Sequence, residues 1–198
     1  MKSLLKEEFH RAFFGKGMVL SLIIGCIVAF SHVLLYQIPQ SAANLELDFG
    51  LDPMYLPETI YDGWLAGNGY TPQSLIYFLI LPILAVLPFG ISCFEDHQSR
   101  FIIQLYMRTP RKHYLMAKYA ASFVAGGTAV VIPLILNLLC AMTLFPDFIP
   151  SPVFSMSKVS EAQSFVNIFY SCPMLYEIIF LCIDFIMGGI FACIALSA

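Results

Sequence analysis

The chain of 198 residues is strongly apolar, because 59% of its residues are hydrophobic and only 12% are charged. Soluble domains carry roughly 25% charged residues, so this composition excludes an ordinary water-soluble domain and predicts an integral membrane protein. The formal net charge of −3 gives no support for nucleic-acid binding. None of the six cysteines forms a C-x-x-C pair, so we predict no zinc or other metal site.

Residues 1–16 have the pattern of an amphipathic helix. Charged side chains fall largely around one face, and the apolar residues recur at helical spacing on the other: Leu4, Leu5, Phe9, Ala12 and Phe13. Such a helix suits the inner membrane surface, with its apolar stripe at the headgroup boundary. The alternative is the charged region of a cleaved signal peptide, although the apolar run that follows is longer than such peptides usually have.

Four apolar runs follow, and each is long enough to cross a hydrocarbon core about 30 Å thick. These predicted spans cover residues 18–36, 74–93, 120–145 and 174–198. Two outer loops, 37–73 and 146–173, and one inner loop, 94–119, connect them. Pro82 and Pro88 predict a kink in the second span, because proline removes a backbone donor and clashes one turn back. The sequence therefore predicts one all-α transmembrane domain over residues 1–198.

Positive charge is concentrated on one side of these spans. Nine of the ten Lys and Arg residues fall in the N-terminal helix or in the loop 94–119, and only Lys158 falls in an outer loop. Basic residues in short loops stay on the cytoplasmic side of a membrane. We therefore predict a multi-pass protein of the cell membrane in which both ends of the chain and the loop 94–119 are cytoplasmic.

Sequence motifs of enzymes are missing from the chain. It contains no H-E-x-x-H, no G-x-S-x-G and no phosphate-binding G-x-x-x-x-G-K-[ST]. We therefore predict no catalytic residues and no cofactor on this chain.

Four polar residues fall within the predicted spans or at their outer ends: His32, Asn137, Glu177 and Asp184. An ionised Asp184 near mid-span would cost about 2.5–3.5 kcal/mol, so its side chain must face protein or water, or be protonated. From their similar depths we predict two polar pairs, Asn137 with Asp184 and His32 with Glu177. Two roles stay open, namely hydrogen bonding between spans or a part in a substrate path.

The loop 94–119 contains a second amphipathic segment. Residues 100–107 predict a short helix with an apolar side, and the helix ends before Pro110 because proline disfavours helix in the residue that precedes it. Physical reasoning leaves two interpretations open. The segment is either a docking element for a cytosolic partner or a connector whose bases hold anionic lipid headgroups.

The loop leads into the third span through the sequence M-R-T-P-R-K-H-Y-L-M-A-K-Y. This motif resembles that of the type-2 exporter permeases, a family of ABC transporter membrane subunits. The matching residues are Pro110, Arg111, Lys112, Tyr114, Ala117 and Lys118. The order of amphipathic helix, span, outer loop, span, cytosolic helix and span is similar as well. Such permeases usually have six spans, so the resemblance implies a six-helix domain that is incomplete at the C-terminal end of this chain.

The resemblance implies the membrane-spanning permease subunit of an ATP-driven exporter. A coupling helix in the loop would insert into a separate ATPase subunit, which holds the ATP and Mg²⁺, and a second permease subunit would complete the exporter. The implied contact residues are Glu95, Asp96, His97, Arg100, Phe101, Gln104, Leu105 and Arg108. The alternative is a non-transport membrane module, such as an assembly or sensor subunit, that recruits a cytosolic partner through the same loop.

Overall fold

The computed structural model describes residues 2–46, 57–90, 92, 110–148 and 165–197, and no β-strand occurs within these ranges. Helix α1 covers Lys2–Phe14, α2 covers Lys16–His32, and a π-helical turn, Val33–Gln37, joins α2 to α3, Ile38–Glu46. The remaining helices are α4 (Ile60–Gly63), α5 (Pro72–Val86), α6 (Arg111–Leu144), α7 (Val166–Ser171) and α8 (Pro173–Ser197).

Three helical stretches are long and apolar enough to cross a membrane: Lys16–Leu45, Lys112–Leu144 and Pro173–Ser197. The prediction of a helical protein with transmembrane helices is confirmed at this level. The first stretch continues beyond residue 36, so the beginning of the predicted outer loop 37–73 is helical.

The predicted second span is represented by α5, a shorter apolar helix of 15 residues. At 1.5 Å per residue this helix is about 22 Å long. Pro82 lies inside α5, whereas residues 87–90 form turns. Because Pro88 disfavours helix at the residue before it, the helix ends at Val86. The structure thus ends the helix near Pro88, where the sequence predicted a kinked helix that continues to residue 93.

The chain forms two compact units, and the long helices contribute to both. The first unit contains Met1–Cys26, Leu79–Ile132 and Ile183–Ala198, and the second contains Ile27–Phe78 and Pro133–Cys182. In the first unit, Ala12 of α1 packs with Phe89, Ala121 and Ala125, and Phe9 and Phe13 pack against this cluster. Phe9, Ala12 and Phe13 of the apolar stripe therefore contact protein, where the sequence predicted contact with the headgroup boundary.

Close packing in the first unit depends on Gly126. A Cβ atom at this position would lie 2.8 Å from the carbonyl oxygen of Ala85 and 2.5 Å from the Cβ of Ala192. Since real Cβ atoms do not approach backbone so closely, only glycine lets α5 and α8 come this near to α6. The hydroxyl of Ser122, one turn earlier on α6, donates to the carbonyl of Ala192 at 3.2 Å.

The second unit has an aromatic core. Tyr61, Phe169 and Tyr176 pack together in it, and the ring centroids of Phe169 and Tyr176 lie 5.1 Å apart in an edge-to-face arrangement. The turn after α4 is also buried here, because Trp64 and Leu65 are both 0% exposed. Part of the predicted outer loop thus lies inside the second unit.

Candidate functional site

The residues that the resemblance implies as the ATPase contact fall in the loop between Ser92 and Pro110. They are Glu95, Asp96, His97, Arg100, Phe101, Gln104, Leu105 and Arg108, and all lie outside the residues that the structure describes. The described residues at the two ends of this loop form a polar site in the first unit. We call this site the lysine anchor and define it as Phe89, Ser92, Tyr114 and Lys118.

Lys118 is 0% exposed, although lysine is almost never fully buried without a partner. Its Nζ atom donates a hydrogen bond of 2.9 Å to the carbonyl oxygen of Ser92. It also lies 5.5 Å from the centre of the Phe89 ring and 5.3 Å from the centre of the Tyr114 ring. A charged hydrogen bond and two aromatic faces therefore offset much of the cost of removing the ammonium group from water.

The local sequence explains this geometry. The carbonyl of Pro110 accepts hydrogen bonds from the amides of His113 and Tyr114, which starts α6. Tyr114 and Lys118 are then four residues apart and lie on the same face of the helix. Ala117 on this turn is 2% exposed, and its small side chain leaves room for close packing.

Sequence analysis identified Lys118 as part of a family motif but did not predict its burial. Of the matching residues whose side chains are described, Tyr114, Ala117 and Lys118 are buried, while Pro110 and Lys112 are exposed. The signal that could have indicated this is the spacing of Tyr114 and Lys118, since an aromatic residue one turn before a lysine can cover its stem and charge.

A second polar site is centred on Asn137 in the second unit. The Oδ1 atom of Asn137 accepts hydrogen bonds from Gln37 Nε2 at 3.1 Å and from the amide of Leu65 at 2.8 Å. Its Nδ2 atom donates to the carbonyl of Ala29 at 3.0 Å and lies 3.4 Å from His32 Nδ1. These four contacts saturate the amide, in place of the predicted pair with Asp184.

We call this site the asparagine cluster and define it as His32, Gln37, Leu65 and Asn137. Its four residues are all nearly or completely buried. Gln37 ends the π-helical turn, and its Nε2 atom also contacts the carbonyl of Gly63 at 3.3 Å. Since π-turns are often found at functional positions, Gln37 is a candidate functional residue. Sequence analysis did not identify it. The signal was present, since glutamine is unusual at the end of an apolar run.

The cluster holds the turn after α4 by its backbone. One contact uses the amide of Leu65, and another uses the carbonyl of Gly63. A buried backbone amide or carbonyl without a partner costs free energy comparable to a lost hydrogen bond. The asparagine cluster therefore supplies hydrogen bonds that allow this turn to be buried.

Glu177 of α8 is 2% exposed in the second unit. Its carboxyl interacts electrostatically with the Trp64 indole and with Asp62. The pairing of His32 with Glu177 stays a prediction. Asp184 is half-buried in the first unit.

Two further contacts fix α4 in the second unit. The Tyr61 hydroxyl donates to Asp147 Oδ1 at 2.7 Å, and the Tyr36 hydroxyl donates to the Glu58 carboxylate at 2.8 Å. Burial raises the pKa of Tyr61, and the hydrogen bond to Asp147 raises it further. Within the described part of the chain, no group of three or more His, Cys, Asp or Glu residues could hold a metal ion.

No protein-family model matches the chain, and neither a curated protein nor a solved structure matches it.

Proposed function

We propose that this chain is the membrane-spanning permease subunit of an ATP-driven ABC exporter. A separate cytosolic ATPase subunit would bind the loop 94–119 and supply the ATP and Mg²⁺, and a second permease subunit would complete the exporter. The proposal includes the topology, with the loop on the cytoplasmic side of the cell membrane.

The lysine anchor is the observation that supports this proposal most directly. Three of the residues that carry the family resemblance, Tyr114, Ala117 and Lys118, are buried around it. Through Lys118, the start of α6 binds the carbonyl of Ser92, which is the last described residue before the loop. Both ends of the loop are therefore held at one point, as a segment that transmits force would require.

In the proposed mechanism, closure of the ATPase dimer displaces the loop. A loop with free ends would absorb the displacement by bending. Because Lys118 joins the backbone at Ser92 to α6, the displacement would instead move the two ends together. Such a concerted movement of the spans is what a change between inward-facing and outward-facing states needs.

The test is purification of the tagged full chain from its native membrane, followed by identification of bound proteins. We expect a protein with a nucleotide-binding phosphate loop to co-purify and to hydrolyse ATP. Replacing Arg100 and Arg108 together by Ala should abolish this association. Lys158→Ala is the matched control, because Lys158 is the one base in a predicted outer loop, and it should leave the association unchanged.

Reconstitution of the complex distinguishes the exporter from a recruiting module. We expect ATP hydrolysis by the partner to rise when the permease is present and to lose that dependence in Lys118→Met, which leaves the implied contact residues from Glu95 to Arg108 unaltered. A bound partner without ATPase activity would contradict the exporter proposal and favour the assembly or sensor subunit. The absence of any partner would contradict both.

A further inference from the structure

We propose that the outward side of α1, together with the first turn of α6, binds the headgroups of anionic phospholipids. This basic face consists of exposed residues in the first unit: Lys6, His10, Phe14, Lys16, Lys112 and His113. The proposal goes beyond transport, since it requires only that the protein lies in a membrane with these residues at its surface.

Helix α1 has one buried face and one exposed face. Its buried face packs through Ala12 against Phe89, Ala121 and Ala125. On the outward side, Phe14 is 77% exposed, and its ring stacks on that of His10 with a centroid separation of 4.6 Å. An exposed aromatic ring among bases is typical of helices that lie in the headgroup layer of a membrane.

The charges of α1 are unbalanced on this side. Of its two acids, Glu8 is 3% exposed and lies 3.6 Å from Arg11. This leaves Glu7 as the exposed acid of α1, against the exposed bases Lys6 and Arg11 and the adjoining Lys16. The surface is therefore complementary to negative charge.

The first turn of α6 is also basic. Its sequence is Arg111-Lys112-His113, and this turn contains no acidic residue. Basic side chains are unfavourable at the positive end of a helix dipole, where an anion is favourable. Phe89 packs with Ala12 of α1 and also lies under Lys118 of α6. Helices α1 and α6 therefore both contact Phe89.

An anionic phospholipid fits this surface better than a free anion does. The bases provide contacts for a phosphate group, and Phe14 provides a contact for the apolar layer beneath it. In the predicted topology the basic face lies at the cytoplasmic leaflet, where anionic lipids attract basic residues. Each base near such a surface changes the affinity about fivefold.

The experiment compares phosphatidylglycerol with phosphatidylcholine, each added to the purified full chain in a neutral detergent. Bound lipids are counted by native mass spectrometry, and the melting temperature is followed in parallel. We expect phosphatidylglycerol to be retained preferentially and to raise the melting temperature more. The triple variant Lys6→Gln, Lys16→Gln, Lys112→Gln should bind phosphatidylglycerol on the order of 100-fold more weakly, and Lys158→Gln should behave as the unaltered protein does.

Three outcomes would overturn the proposal. One is a triple glutamine variant that still prefers phosphatidylglycerol. Another is equal stabilisation by inorganic phosphate at the same concentration, which would indicate a bare anion site. The third is loss of the lipid preference in the triple Lys→Arg variant, which keeps all three charges. Equal melting temperatures of both triple variants in phosphatidylcholine would show that the fold is intact.

Discussion

The two units bury polar groups in different ways. The lysine anchor of the first unit uses the charged Nζ atom of Lys118, which donates a hydrogen bond to the Ser92 carbonyl and lies near two aromatic rings. The asparagine cluster of the second unit uses a neutral amide, whose two donors and two acceptors contact four groups. An ammonium group can only donate hydrogen bonds, whereas an amide both donates and accepts.

This difference indicates what each site is suited to do. Asn137 joins two helices and a buried turn, so its loss would leave several groups unsatisfied at once. Lys118 joins a helix to the beginning of a loop, so its loss would free the loop while much of the helix packing remains. We therefore expect changes at Asn137 to act mainly on stability and changes at Lys118 to act mainly on coupling.

The largest effect is expected for Asn137→Leu. The substitution leaves the amide of Leu65 without its partner, and an unsatisfied buried group costs about 1–3 kcal/mol. It also removes the hydrogen bonds of the Asn137 side chain to Gln37 Nε2 and to the carbonyl of Ala29, each of which contributes about 1 kcal/mol. We expect the free energy of unfolding in detergent to fall by roughly 3–5 kcal/mol. Asn167→Leu, at an exposed position on α7, is the control and should change it by less than about 0.5 kcal/mol. Equal effects of both substitutions would refute a special role for the cluster.

Lys118→Met should have a smaller effect on stability. A hydrogen bond to a charged group contributes about 1.5–3 kcal/mol, but methionine also avoids the cost of burying a charge. We expect a loss of roughly 2 kcal/mol together with the loss of coupled ATP hydrolysis in the proposed complex. Lys158→Met, the same chemical change in a predicted outer loop, should alter neither quantity. A Lys118 variant that unfolds as readily as Asn137→Leu would contradict the distinction between the two sites.

Gly126→Ala tests whether the first unit relies on close backbone packing more than on polar contacts. The added methyl group would lie 2.8 Å from the Ala85 carbonyl oxygen, and overpacking of this kind costs about 1–3 kcal/mol. We expect the melting temperature to fall. Gly69→Ala is the matched control, because no atom lies within 4 Å of its added Cβ and no glycine in the described ranges has a positive φ. That control should be neutral or slightly stabilising.

Much of the helical architecture could be predicted from the sequence because apolar runs and charge distribution are local signals. The predicted helix over residues 1–16 corresponds to Lys2–Phe14, and α6 covers the predicted third span, 120–145, up to Leu144. The face that α1 buries could not be predicted, since an apolar stripe fits lipid and protein equally well. Only the positions of Phe89 and Ala121 decide between them.

The candidate sites were less predictable because their partners are distant in sequence. Asn137 was identified from its depth in a span, but depth alone allowed Asp184 as its partner. Its actual contacts come from the π-helical turn and from a turn that the sequence placed in an outer loop. The hydrogen bond from Lys118 to Ser92 spans 26 residues, so no local sequence pattern could indicate it.

The smallest effect is expected for Tyr61→Phe, and its pH dependence makes it distinctive. The substitution removes the 2.7 Å hydrogen bond to Asp147, which should lower the free energy of unfolding by about 1 kcal/mol at neutral pH. Burial and that hydrogen bond raise the pKa of Tyr61 above its ordinary value of 10.0. Near pH 10 the unfolded chain therefore begins to lose the hydroxyl proton, whereas the folded protein keeps it. The stabilising contribution is therefore fully present below pH 10 and is lost as the pH rises beyond it.

The difference in stability between the unaltered protein and Tyr61→Phe should accordingly stay constant from neutral pH to about pH 10 and shrink above it. Unfolding measured at a series of pH values checks this. Tyr70→Phe is the control, since Tyr70 is 79% exposed, and it should give no such trend. A constant difference across the alkaline range would mean that Tyr61 ionises equally well in both states. Asp147 would then not hold the hydroxyl in the folded protein, and the asparagine cluster and the contact of Tyr36 with Glu58 would remain to fix α4 and the turn after it.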